Sequence, residues 1–180
     1  MLLWIVLAAA AAAQDVELGA LHATLVSLHS QAMLKAKETR GATPDLTVAK
    51  HQLRDWIEKR LGSMKGDGDE KAFSVQINEA LKTVGVKAAA DDENVVGSLG
   101  GVRFSMEAGL LIVTTAVEIL CQYDESAYAY RYMDGRWQRI WESEQNDYSP
   151  KKYNPQHIEA VHGLQPLENG PTYVMYLGTS

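Results

Sequence analysis

Cysteine is almost absent from this sequence: of 180 residues, only Cys121 carries a thiol. One thiol closes no bridge within a chain, so a disulfide-stapled scaffold is excluded and stability has to come from a packed core. Such a cysteine in an oxidising compartment is expected to be buried and inert, or to find its partner on another chain or beyond Ser180. No long apolar run is present either. The longest stretch, Met1 to Ala13, is shorter than the roughly twenty residues a bilayer-spanning helix requires, which argues against stable membrane insertion. Also missing are a glycine-rich phosphate loop, a nucleophile elbow and a zinc-protease signature, so the common catalytic motifs give no starting point. No internal repeat stands out.

What the N-terminus does contain is a short apolar core running into alanines, with Ala11 and Ala13 as small residues ahead of Gln14. This predicts a signal peptide over residues 1–13, although no Lys or Arg precedes Lys35, and an extracytoplasmic (periplasmic or secreted) protein. Charge is uneven along the remainder. Residues 14–87 hold 11 basic and 10 acidic side chains, whereas residues 88–180 hold 6 and 13, a net −7. An acidic second half repels nucleic acid and anionic lipid, leaving a protein or a glycan as the expected partner.

Two architectures follow each other. Leu18, Leu21, Leu25 and Leu28 recur at helical spacing, and Lys35, Lys37 and Arg40 precede Gly41 as the end of that helix. Thr43-Pro44-Asp45 starts a second helix with an apolar stripe of Leu46, Leu53, Trp56, Ile57 and Leu61 before Gly62. A third is predicted from Glu70 to about Thr83 on Phe73, Ile77 and Leu81. A helical unit over residues 14–90 is therefore expected to precede an antiparallel β unit over residues 91–180. The fold class is α+β: a helical hairpin plus a third helix, then a sheet of about six strands.

The β unit opens with Val102, Phe104 and Met106 alternating with polar neighbours, a turn at Glu107-Ala108-Gly109, and a β-branched run from Leu110 to Cys121. On that run Leu111, Val113, Thr115, Val117, Ile119 and Cys121 share one face. Asp134-Gly135 then favours a two-residue turn, pairing Tyr132 with Trp137, Tyr130 with Arg139 and Tyr128 with Trp141. Those five rings and one guanidinium are placed on a single face, with Ala127, Ala129, Arg131, Gln138 and Glu142 on the other, expected to face solvent. Two more strands are expected at His157 to His162 and Thr172 to Leu177, after a polar loop at Asn146 to Pro155. The last strand has no evident partner, so it either pairs back into the sheet or belongs to a truncated unit.

The segment Tyr130-Arg131-Tyr132-Met133-Asp134-Gly135-Arg136-Trp137 resembles a blade of secreted β-propellers, kelch-like or sialidase-like. The resemblance covers about residues 113–142, with no whole-chain family match, and carries over no catalytic residue.

The candidate ligand-binding set is Tyr128, Tyr130, Tyr132, Trp137, Arg139 and Trp141. Exposed, such rings stack on sugars with Arg139 donating hydrogen bonds; covered, they form sheet core, which is the reading preferred here. No catalytic residue can be assigned. For a hydrolase acting on glycans, acids such as Asp124 and Glu142 would be the candidates. His157, Glu159 and His162 are metal-ligand types, yet neither strand nor helix geometry brings all three together. No metal and no cofactor is expected. Asp67-Gly-Asp69-Glu70 falls short of a calcium loop and is read as a helix cap. The expected function is an exported binding or interaction domain; the alternatives are the secreted hydrolase and a structural envelope protein without a small ligand.

Overall fold

The computed structural model describes residues 17–27, 44–64, 70–83, 99–119, 122–145, 156–165 and 172–179. The signal-peptide segment, Cys121, His29, the Asp67–Asp69 loop and the 146–155 loop lie outside the described residues. Among the described residues three helices precede six strands: α1 over residues 17–27, α2 Pro44–Gly62 and α3 Glu70–Thr83. The strands are β1 Leu99–Glu107, β2 Leu110–Ile119, β3 Gln122–Met133, β4 Arg136–Ser143, β5 His157–Leu164 and β6 Tyr173–Thr179. The class is α+β, and every strand pairing is antiparallel.

The strands form two sheets. β1 to β4 make a four-stranded meander in chain order, and β5 pairs with β6 in a separate two-stranded sheet. Short turns explain the meander. Ala108 and Gly109 adopt φ of 49° and 75°, and Asp134 and Gly135 adopt 53° and 79°. Positive φ at both central positions is the turn whose twist matches paired strands.

The apolar residues at helical spacing are where burial requires them. Leu18, Leu21 and Leu25 of α1, Leu46, Leu53, Trp56, Ile57 and Leu61 of α2, and Phe73, Ile77 and Leu81 of α3 are all buried. They share one cluster with Val102, Leu111, Val113, Val117, Tyr128, Tyr130 and Trp137 of the meander. Glu17, at the start of α1, pairs with Lys59, near the end of α2, which brings those two helix ends together. Among the described residues no helix is long and apolar enough to cross a membrane.

The opposite face of the meander is covered too. Leu110, Ile112, Ala127 and Ala129 pack with Val161, Ile158 and Val174 of the β5–β6 hairpin and with Trp141. The expectation that this face meets solvent is corrected: Ala127 and Ala129 are fully buried. Their small side chains leave room for a second sheet. The molecule is thus built in layers: helices, four strands, then two strands.

Glutamates fasten the outer layer. Glu125 Oε2 accepts from the backbone N–H of Ile158 at 2.6 Å and lies 3.0 Å from His157 Nδ1. At the other end of β5, Glu107 Oε2 accepts from Gly163 N–H at 3.2 Å and lies 2.9 Å from His162 Nδ1. At that same end, a Cβ added at Gly163 would lie 2.4 Å from the backbone oxygen of Glu107. Gly163→Ala is therefore expected to lever β5 off β1 and cost about 1–3 kcal/mol, the usual scale for overpacking. Urea unfolding of the variant beside wild type checks this.

Candidate functional site

The strands that carry the aromatic set do not keep one register. Tyr132 pairs with Trp137 and Tyr130 with Arg139, but Ala129 then faces Trp141 and Tyr128 faces Glu142. Ile140 is the extra residue of a β-bulge. Because side chains alternate at period two, one inserted residue sends everything beyond it to the other face. The expected pairing of Tyr128 with Trp141 is thereby corrected. Trp141 joins Ala127 and Ala129 on the hairpin side, its ring 5.7 Å from that of Tyr176. Glu142 takes its place on the helix side.

The remaining rings are not a platform open to solvent. Tyr128 and Tyr130 are each 1% exposed and Trp137 8%, beneath α2 and α3. Phe73 of α3 meets Trp137 edge-on at 5.8 Å. Tyr132, at 38% exposure, borders solvent and packs its ring 5.4 Å from Trp137. Arg139 Nη1 is held by Glu58 of α2 at 3.1 Å and by Glu142 at 3.2 Å.

Beside the rings lies a buried polar cluster that the sequence reading missed as a unit. Lys50 of α2 and Asp124 of β3 are each about 1% exposed, with Nζ 3.1 Å from Oδ1. Lys50 also donates to the backbone oxygen of Gln145 at 2.9 Å. Next to them the Glu144 carboxylate, 1% exposed, accepts a hydrogen bond from the Tyr128 hydroxyl and lies 2.8 Å from His51 Nε2. Arg54 approaches it at 3.5 Å. Tyr130 donates to Glu58 at 3.2 Å. A signal was present in the sequence: Lys50 falls four residues after Leu46 and three before Leu53, inside the apolar stripe of α2, where a charge needs a buried partner.

Burial pulls the Lys50 ammonium below its ordinary pKa, against the opposing pull of Asp124 and Glu144. Burial also raises the Tyr128 phenol far above its usual range, reinforced by the neighbouring Glu144; Tyr130 is raised likewise, by burial and then by Glu58. A phenol ionises at about 10 when unfolded. Both tyrosines therefore contribute stability that is fully present below pH 10 and lost as pH rises past it towards the raised folded values. The expected slope is about 1.4 kcal/mol per pH unit for each phenol. Tyr130→Phe should remove one of the two contributions, so subtracting its alkaline unfolding curve from that of wild type separates the phenol from Lys50, which titrates in the opposite sense.

The cluster joins α2 to β3 and to the residues after β4, and its acids are committed to cations and donors. Of the two acids suited to glycan hydrolysis, Asp124 is buried against Lys50 and Glu142 is paired with Arg139. A cleft of about 140 Å³ opens elsewhere, between the meander and β5, bordered by Arg103, Thr114, Glu125 and Glu159. That is well below the roughly 300 Å³ at which small-molecule pockets begin. His157 and His162 are occupied by different glutamates, and no group of three metal-capable side chains occurs among the described residues.

No protein-family model, curated protein or solved structure matches this chain. Its functional reading consequently rests on its own residues.

Proposed function

We propose that this chain is an exported interaction domain that works by presenting sheet surface to another macromolecule, with no turnover of a substrate. The observation that carries this reading is the covered aromatic face: Tyr128, Tyr130 and Trp137 are core residues, so the rings that would stack on a sugar serve to hold the helices. A protein partner is favoured over a glycan for the same reason. Exposed apolar side chains gather instead on the outer hairpin, where Tyr173, Met175 and Leu177 of β6 are 45–56% exposed. Aligned apolar side chains of this kind mark interaction surfaces.

Placement outside the cytoplasm rests on the apolar, alanine-rich segment before Gln14. Sequencing the N-terminus of exported protein is expected to start at or near Gln14; cytoplasmic protein retaining Met1 would reverse this. Incubation with a panel of glycosides and polysaccharides is expected to give neither binding nor hydrolysis. Turnover that disappears in Glu142→Gln would establish the hydrolase reading in place of this one.

A further inference from the structure

β5 crosses the outer face of the meander obliquely, tied to Glu125 of β3 at its His157 end and to Glu107 of β1 at its His162 end. Among the described residues, one corner of that face is left beside the strand, and there the cleft of about 140 Å³ opens. Four strands supply its walls: Arg103 of β1, Thr114 and Ala116 of β2, Glu125 of β3 and Glu159 of β5. A bulge in β5 shapes it. Ile158 pairs with Gly178 and Ala160 with Leu177, so Glu159 is the extra residue. In a regular strand Ile158 and Val161, three positions apart, would face opposite ways. The bulge lets both pack on the meander and leaves Glu159 at the wall of the cleft, in keeping with the use of bulges to re-aim side chains beside binding sites.

The charges around this space are not used up within the chain. Glu125 is committed: its Oε2 accepts from the Ile158 N–H at 2.6 Å and lies 3.0 Å from His157 Nδ1. Arg103, Thr114 and Glu159 line the cleft with no side-chain hydrogen bond or ion pair among the described residues. One guanidinium and one carboxylate thus border the same small space without pairing with each other, together with one hydroxyl.

We infer that this cleft binds a small zwitterion, a free α-amino acid of the size of glycine or alanine, its carboxylate on Arg103 and its ammonium on Glu159, with the Thr114 hydroxyl available to either group. A guanidinium presents paired N–H donors that match a carboxylate. Charge balance sets the specificity: an anion alone meets the Glu159 carboxylate, and a cation alone meets the Arg103 guanidinium. Size selects as well. A water molecule takes up about 30 Å³ in the liquid, so the cleft holds roughly four or five water-sized groups, enough for glycine or alanine and too little for a sugar ring. This site goes beyond the interaction-domain reading and does not rest on it. A ligand held by β1, β2 and β5 at once bridges the meander and the hairpin, so its binding also stabilises the docking of the outer sheet.

The test is titration of the full chain with glycine and L-alanine, and separately with acetate and with methylammonium, followed by amide chemical shifts and by hydrogen exchange of β5. Saturable binding of the amino acids in the millimolar range is expected, at least tenfold tighter than that of either half-ligand, with slower exchange in β5 when bound. Arg103→Gln and Glu159→Gln should each weaken it at least tenfold. Both side chains are exposed and without a partner among the described residues, so both variants should fold, which thermal melting checks. Arg136→Gln, at an exposed arginine of β4, should bind as wild type does. Absence of saturable binding by either amino acid overturns the inference. So does binding that survives Arg103→Gln and Glu159→Gln, which places the ligand elsewhere, and so does acetate or methylammonium binding as tightly as alanine, which makes the cleft a site for a simple ion.

Discussion

Lys50→Ala is expected to lower folding stability by about 3–5 kcal/mol, because it removes the ammonium that is paired with the buried Asp124 carboxylate. The loss comes from Asp124 more than from the missing lysine. Removing both charges together in Lys50→Met with Asp124→Leu should recover most of it, since buried ion pairs replaced by apolar residues of similar size are often neutral to stability. Urea unfolding of wild type, both single variants and the double variant forms a cycle whose coupling energy measures the pair. A loss below about 1 kcal/mol in Lys50→Ala would be typical of a solvated surface pair and would contradict the burial described here.

Trp137→Ala should be comparably severe, at about 3–5 kcal/mol, through lost burial and the cavity left beneath Phe73. Trp137→Phe is expected to be far milder. It keeps a ring against Phe73 and removes an indole N–H that has no hydrogen-bond partner among the described residues. Trp141→Ala separates the two faces of the meander. Trp141 is only partly buried and packs on Tyr176, so its loss should loosen the β5–β6 hairpin while the helices stay docked. Hydrogen exchange read on β5 and on α2 distinguishes these outcomes: equal deprotection of both in Trp141→Ala would contradict the layered packing.

The helices and the first four strands were legible because each depends on neighbouring residues. Pro44 and Gly62 bracket the α2 stripe, and Asp134-Gly135 sets the β3–β4 turn and the four pairs next to it. The bulge at Ile140 was not legible. Nothing local distinguishes Arg139-Ile140-Trp141 as regular from the same residues bulged; what favours the bulge is the room beside Ala127 and Ala129 for Trp141 and the Arg139 guanidinium that receives Glu142. The division of six strands into two sheets was hidden for a related reason. β5 looks like any half-buried strand, and only packing against Ala127 and Ala129 shows that it lies over the meander and not beside it. Of the candidate site, the clustering of Tyr128, Tyr130, Tyr132, Trp137 and Arg139 was readable, while the helices covering the first two and Trp137 come from far earlier in the chain, Glu58 lying 72 residues before its partner Tyr130, and leave no local signature.

The Lys50–Asp124 contact spans 74 positions of the chain. Hairpin-connected strands close small loops and assemble early, whereas so distant a contact is delayed by its loop-closure entropy. Desolvating the two charges is expected to accompany the docking of α2 onto the meander, so the pair should act mainly after the folding barrier. Its removal should leave the refolding rate nearly unchanged and accelerate unfolding, making this ion pair a determinant of how long the native molecule lasts once formed.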